Sequence, residues 1–323
     1  MQILRDINEL PNSIRHGSIS VGNFDGVHRG HAAIFHRLLS HADRVGGPAV
    51  VFTFHPHPLT VLRPEDAPPC LMSLDRKLAL IERMGIEAIV VNPTDRLFLD
   101  LSPEAFLDQV LVRHLQAKAV VEGPNFCFGS GRRGNIDVLT RFCRKNGITV
   151  EIVQPEDDHT EIISSSRIRN CLHGGHVDAA ARMLGRPHRV RGRIIHGHGR
   201  GMSLHFPTAN LADVDCMVPA DGIYAGKAFL GDETHSAAIH VGPNVTFGES
   251  DRGFEVHLLD FAGRIYGEWL EVDFIARIRD SVRFETAERL QAAIADDCRK
   301  VREVLRNWDG AAQDSLCGEN KLD

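Results

Sequence analysis

Residues 18–31 read SISVGNFDGVHRGH, and this stretch decides the fold of the first half. SISV (18–21) is a short apolar run suited to a buried strand. GNFDGVHRGH (22–31) follows directly and opens HAAIFHRLLSHADRVG (31–46), whose apolar residues recur at helical spacing and stop at Gly46-Gly47. A strand, a tight glycine turn and a helix start in succession favour phosphate, because the first N–H groups of a helix lack intrahelical partners. His28 and His31 lie three residues apart across Gly30, which brings both imidazoles to that helix N-terminus. Two imidazole donors beside exposed backbone N–H groups can bind an α-phosphate. They would stabilise the charge that builds as a nucleophile attacks and pyrophosphate leaves. Such a transfer needs positioning and charge stabilisation, and no covalent intermediate. Taken alone, the spacing also fits two surface histidines in a chain with 18 of them.

Outward from this stretch, strand-like and helix-like segments alternate. PAVVFTF (48–54), IEAIVVN (86–92), AKAVVEG (117–123) and ITVEIV (148–153) read as strands. DRKLALIERMG (75–85), SPEAFLDQVLVRHL (102–115) and NIDVLTRFCRKNG (135–147) read as helices, with Ser102 as an N-cap and Pro103 at the first position. The alternation predicts an α/β doubly wound parallel sheet with helices on both faces and ligands at the carboxyl ends of the strands. The pattern changes after Arg186-Pro187. RVRGRIIHG (189–197), DGIYAGKAFLG (221–231), HSAAIHVG (235–242), RGFEVHLLDF (252–261) and GRIYGEWLEVDFIARIR (263–279) predict a small antiparallel barrel or sandwich. Residues 286–308 place Leu290, Ile294, Cys298, Val301, Val304, Leu305 and Trp308 on one stripe of a closing amphipathic helix. The expected domains are 1–186 and 187–308, with 309–323 a polar, frayed tail.

The chain has 323 residues, 43% hydrophobic and 25% charged, enough for two cored domains, which excludes collagen, disordered and disulfide-stapled classes. A net charge of −6 argues against nucleic acid as a partner, and the basic stretches GSGRRG (129–134) and HRVRGR (188–193) read as solvated faces or phosphate contacts. No apolar run approaches the roughly 18 residues of a membrane span, so no membrane partner is expected. Seven scattered cysteines without a CxxC, and a first segment lacking an apolar signal core, predict a cytoplasmic protein. Nothing in the residues speaks to oligomeric state.

ISSSRIR (163–169) supplies a second phosphate feature: a serine-capped helix start in which Ser164, Ser165 and Arg169 can hold β- and γ-phosphates. An ordinary capped helix is the competing reading. In TFHPHP (53–58) the prolines stiffen a strand exit, and His55 and His57 lack a third metal ligand nearby, which favours a loop or substrate wall. With HxGH and ISSSRIR together, the chain resembles the nucleotidyltransferase superfamily. Within it the chain is similar, over almost its whole length, to the prokaryotic bifunctional riboflavin kinase/FAD synthetases. TFHPHP resembles their TFxPHP segment and GPNFCFGSGRRG (123–134) their GxNFxFGxxxxG segment. The resemblance implies that His28 and His31 carry adenylyl transfer. It implies nucleotide contacts from Gly22, Asn23, Phe24, Asp25, Gly30, Asn125, Ser164, Ser165 and Arg169, and flavin contacts from Phe54, His57, Pro58 and Phe128. Ser166 stands where Thr is usual, and Cys127 where Arg or another polar residue is common.

GRIIHGHGRGMSLHFPTANL (192–211) lacks a Walker A pattern, but its glycines allow close approach of backbone N–H groups to phosphate. Thr208 and Asn210 of PTAN offer hard oxygens suited to Mg²⁺ with waters. Alone, the stretch also fits a hairpin connection. The order GHGRG, FPTAN, PADGIYAG (219–226), FEVHLLDF (254–261), YGEWLEVDF (266–274) resembles the riboflavin kinase module. This implies Gly197, Gly199, Arg200 and Gly201 at the nucleotide and Glu255 as the base that takes the ribityl 5′-hydroxyl proton. Without the motif, Glu255 reads as an outward-facing strand residue. His205 replaces a family Gly, and Val245 of VGPNVTF (241–247) a family Pro. The implied substrates and products are ATP, riboflavin, FMN and FAD, with Mg²⁺. The expected function is phosphorylation of riboflavin followed by adenylyl transfer to FMN. The alternative is a nucleotidyltransferase whose kinase module is impaired or re-specialised.

Overall fold

The computed structural model describes residues 1–157, 161–197, 201, 205–214, 216–243 and 252–318, with the backbone alone over 309–318. The chain divides into two compact units, Met1–Ser165 and Ser166–Asp323.

The first unit runs β1 (Gln2–Leu4), β2 (Ser18–Val21), α1 (Arg29–Val45), β3 (Ala49–His55), α2 (Pro58–Leu62), α3 (Leu74–Arg83), β4 (Ala88–Pro93), α4 (Arg96–Leu99), α5 (Pro103–Leu107), β5 (Ala119–Glu122), α6 (Ile136–Lys145) and β6 (Thr149–Ile152). Every strand pairing is parallel, in the order β1-β4-β3-β2-β5-β6. The chain steps outward from β2 through β3 and β4, then returns to β2's other side at β5. The crevice between β2 and β5 is therefore the switch point where such sheets bind ligands. β2, β3 and β4 are almost wholly buried, as expected of strands covered on both faces. α1 seats Phe35, Leu38 and Ala42 against Val51, Ile89 and Val121; each fully buried large side chain contributes about 1.5–3 kcal/mol. The helix expected over 102–115 changes to π-type turns over Asp108–His114. The short edge strand β1 has no counterpart in the sequence reading.

The second unit holds α7 (Ser165–His173), α8 (Val177–Leu184), β7 (His188–Ile195), β8 (Ala209–Ala212), β9 (Gly222–Leu230), β10 (Glu233–Pro243), β11 (Arg252–Leu258), β12 (Trp269–Arg279) and α9 (Ala287–Gly318). Its strands close into a barrel in the order β10-β11-β8-β7-β12-β9, with every pairing antiparallel. The barrel is one of the two architectures expected. α7 and α8 group with it, although the residue pattern changes only at 186: the Ala220 N–H donates to the Leu172 carbonyl at 2.9 Å, and Gly175 lies against Tyr224 and Arg277. α9 packs Val301 and Leu305 against Ala225 and Ile275. It continues to Gly318, ten residues past the expected end at Trp308.

Candidate active sites

At the switch point β2 and β5 pair only at Ser18–Ala119 and Ile19–Val120, then part. The Glu122 carboxylate fills the gap and accepts the Val21 N–H at 2.6 Å. Burial holds this carboxyl well above the usual carboxylate range, against the opposing pull of its hydrogen bonds. Beyond Val21 the chain enters a strained loop. Phe24, Gly26 and Val27 all have positive φ, at 47°, 86° and 38°. A β-branched residue in that region is an outlier that surroundings must enforce. They do so at several points. Lys77 Nζ of α3 donates to the Asn23 carbonyl at 2.8 Å, and Thr53 Oγ1 donates to it at 3.3 Å. The buried Asp25 carboxylate accepts the Leu71 N–H, with both oxygens at 3.1 Å, and Ser165 Oγ donates to the Asp25 carbonyl at 2.8 Å. Burial lowers the Lys77 ammonium below its ordinary value, while Asp25 and Cys70 oppose the shift.

The loop delivers His28 as the N-cap of α1. The His31 N–H donates to His28 Nδ1 at 3.3 Å, so the neutral His28 ring carries its proton on Nε2. The two rings stack with centroids 3.6 Å apart and planes 18° from parallel. A Cβ at Gly30 would stand 3.3 Å from the His28 ring, so a glycine admits the imidazole here. The first turn of α1 contains no acidic residue of its own, and Arg29 at its start pairs with Glu156 at 3.1 Å. Phe24 closes edge-on against His31, with centroids at 5.2 Å. Of the other expected contacts, Gly22 lies beneath the Phe24 ring, Asn125 is exposed in the loop after β5, and Ser164 is half-buried. Arg169 is carried by α7, in the second unit.

Of the expected flavin residues, Phe54 lies near the end of β3, His57 and Pro58 open α2, and Phe128 follows β5, joined to Phe54 through the rings of Phe98 and Phe106. Phe52, Phe54, Phe98, Phe106, Phe128 and Phe126 form a continuous row of rings with centroid spacings of 5.0–6.1 Å. Phe128 is buried within the core, and Phe54 is half-buried against it. His57 caps α2 by accepting the Leu59 N–H at 3.2 Å, with Pro58 in the first turn, and His57 Nε2 lies 3.1 Å from the Asn23 amide nitrogen.

The second site is a row across the barrel wall. Asn210 on β8 is the register partner of Glu255 on β11, and Glu255 of His240 on β10. Their strand neighbours Ala209, Phe254, Val256, Ile239 and Val241 are buried in the barrel, so the row faces outward. A Cβ at Gly197 would overlap the Asn210 side chain, and one at Gly201 would lie 3.2 Å from Thr208 Oγ1. Thr208 and Asn210 thus offer two neutral oxygens near the Glu255 carboxylate, a donor set of the kind that suits Mg²⁺. Among the described residues no cluster of three His, Cys, Asp or Glu forms a metal cage. His257 fixes the strand entry, its Nδ1 2.7 Å from the Pro207 carbonyl oxygen. His205 stands at φ 64°, in the left-handed region. Gly199, Arg200 and Val245 lie outside the described residues.

Three site residues escaped the sequence reading. Lys77 lies inside a helical pattern and His240 inside the strand-like run 235–242, where nothing singles either out. Glu122 left one signal, a carboxylate closing an otherwise apolar strand.

Comparison with known proteins bears on both sites. Residues 11–167 match the FAD synthetase family model and residues 184–305 the riboflavin kinase model. A bifunctional riboflavin kinase/FMN adenylyltransferase of Haemophilus influenzae is 33% identical over 303 residues, covering 94% of this chain and 98% of the relative. The chain belongs to the bifunctional riboflavin kinase/FMN adenylyltransferases. Such enzymes from Escherichia coli and Bacillus subtilis are 32% and 33% identical, over 94% and 90% of this chain and 98% and 92% of theirs. A crystal structure described as a macrolide-efflux protein from Streptococcus pneumoniae shares the fold, with a TM-score of 0.83 and 30% identity over 95% of this chain and 98% of that one. Among the described residues no helix is long and apolar enough to cross a membrane. As a riboflavin kinase/FMN adenylyltransferase, the chain phosphorylates riboflavin to FMN and adenylylates FMN to FAD. With both family models matched, the comparisons support two activities and not the single-activity alternative.

Proposed function

We propose that His28 and His31 bind and polarise the α-phosphate of ATP while a phosphate oxygen of FMN attacks it. The new bond joins the FMN oxygen to the α-phosphorus, the bond to the bridging oxygen breaks, and pyrophosphate leaves. The observation that carries this assignment is the stacked histidine pair at the N-terminus of α1. Imidazole N–H donors and the α1 dipole would stabilise the developing charge without reorganising. The strained loop Gly22–Asp25 and Gly30 would admit the phosphates, with Ser164 and Ser165 on the β- and γ-groups. Flavin would lie on the aromatic row at Phe54 and Phe128, edged by His57 and Pro58, with Asn125 at the nucleotide–flavin junction.

In the second unit Glu255 would accept the riboflavin 5′-hydroxyl proton as that oxygen attacks the ATP γ-phosphate. Thr208 and Asn210 would hold Mg²⁺, which when bound neutralises charge on the phosphates. Backbone N–H groups at Gly197, Gly199 and Gly201, with Arg200, would receive the nucleotide. The described cysteines stand as thiols and not as disulfides, which supports work in a reducing cytoplasm, and the reading needs only small-molecule partners.

Pyrophosphate release tests the first assignment. His28→Ala and His31→Ala should each lower release from ATP and FMN by about 10²–10³-fold, the scale of a lost charge-stabilising donor. Release within twofold of the parent in both variants would sink it.

A further inference from the structure

The adenylyltransferase reading leaves His240 unused, yet the barrel sets it directly opposite Glu255 on the neighbouring antiparallel strand. Side chains of such a pair emerge on one face with Cβ atoms about 4.5–5.5 Å apart. The row continues Ile223, His240, Glu255, Asn210, Ile195. Glu255 thus has the imidazole on one flank and the amide of Asn210 on the other.

We propose that His240 is a positioning residue for the kinase base, donating a ring N–H to one Glu255 oxygen so that the other faces the riboflavin 5′-hydroxyl. This rests on the assignment of Glu255 as base. The proton balance is simple. The hydroxyl proton passes to the second Glu255 oxygen, the ribityl oxygen bonds the γ-phosphorus, and the bond to the ADP oxygen breaks. His240 keeps its proton throughout.

The surroundings suit a neutral imidazole, which has one donor to give. Burial pulls the ring below its ordinary value, and Arg279 on β12 adds to that pull, while Glu255 on β11 and Asp221 just before β9 work against it. Both outer charges are themselves engaged. Arg279 pairs with Asp297 of α9 at 2.7 Å, and Asp221 with Arg252 of β11 at 2.7 Å. The orienting partner offered to His240 by the barrel register is Glu255.

The test is kinase kinetics on full-length His240→Ala, His240→Gln, Glu255→Gln and the His240→Ala/Glu255→Gln double variant, with FAD formation from FMN as the control for folding. His240→Ala should lower the kinase kcat about tenfold, with KM for riboflavin and ATP within about twofold. His240→Gln, which keeps an N–H donor, should return kcat to within about threefold of the parent. The double variant should lose no more than Glu255→Gln alone, because an orienting group matters only while its base is present. An unchanged kcat in His240→Ala, an equal loss in both His240 variants, or an additive loss in the double variant would each overturn the proposal. Normal kinase activity in Glu255→Gln would instead overturn the base assignment, and this inference with it.

Discussion

His205 pays a conformational cost. At φ 64° it occupies the left-handed region, where an L-residue other than Gly is disfavoured by roughly 1–2 kcal/mol. Its side chain is exposed, so little packing is lost on truncation. His205→Gly should therefore raise the thermal midpoint of the second unit by roughly 2–4 °C, read by calorimetry, with no loss of riboflavin phosphorylation. A lowered midpoint would mean that His205 makes a compensating contact. The positive φ at Val27 is a different case, because the loop around it is clamped by Asp25, Ser165, Thr53 and Lys77. There, on the proposed assignment, the strain would position the phosphate site instead of marking a correctable defect.

At the scale of elements, the parting of β2 and β5 governs the first site. Glu122 holds that seam through Val21 and is neutral-favouring in the fold. A carboxyl whose folded value is raised contributes stability that is complete below the ordinary carboxylate range. That contribution is lost as pH rises through the raised value. Glu122→Gln keeps an oxygen for Val21 and cannot ionise, so its stability relative to the parent should climb from about pH 4 to about pH 8, as urea midpoints would report. A constant difference across that range would refute the buried-acid account. Lys77→Met should remove the ammonium that ties α3 to the Asn23 carbonyl. We expect FAD formation to drop at least tenfold while riboflavin phosphorylation is retained, measured by product chromatography; equal loss of both would indicate general unfolding. SISVGNFDGVHRGH was legible because its strand, turn and helix signals are all local. β8 was not, since its four residues ANLA follow a glycine-rich stretch and find their partners on β7 and on β11, the latter some 45 residues on. Glu122, Lys77 and His240 acquire meaning only from cross-strand register and from a helix docking on a loop, which no periodicity encodes.

At the scale of the whole molecule, each unit buries its own core: two apolar clusters in the first and, in the second, the barrel interior with the α9 contact. The change of pattern at 186 was visible, because alternating α and β segments give way to short strands. The allegiance of α7 and α8 was not, because it depends on contacts such as that of Gly175 with Tyr224. Separate cores imply that damage to one active site leaves the other working. The most direct test gives purified His28→Ala and Glu255→Gln proteins ATP, Mg²⁺ and riboflavin, singly and mixed, with product chromatography. His28→Ala alone should stop at FMN, Glu255→Gln alone should leave riboflavin unconverted, and the mixture should make FAD. FAD from either variant alone at the parent's rate, or none from the mixture, would contradict the assignment of one chemical step to each site.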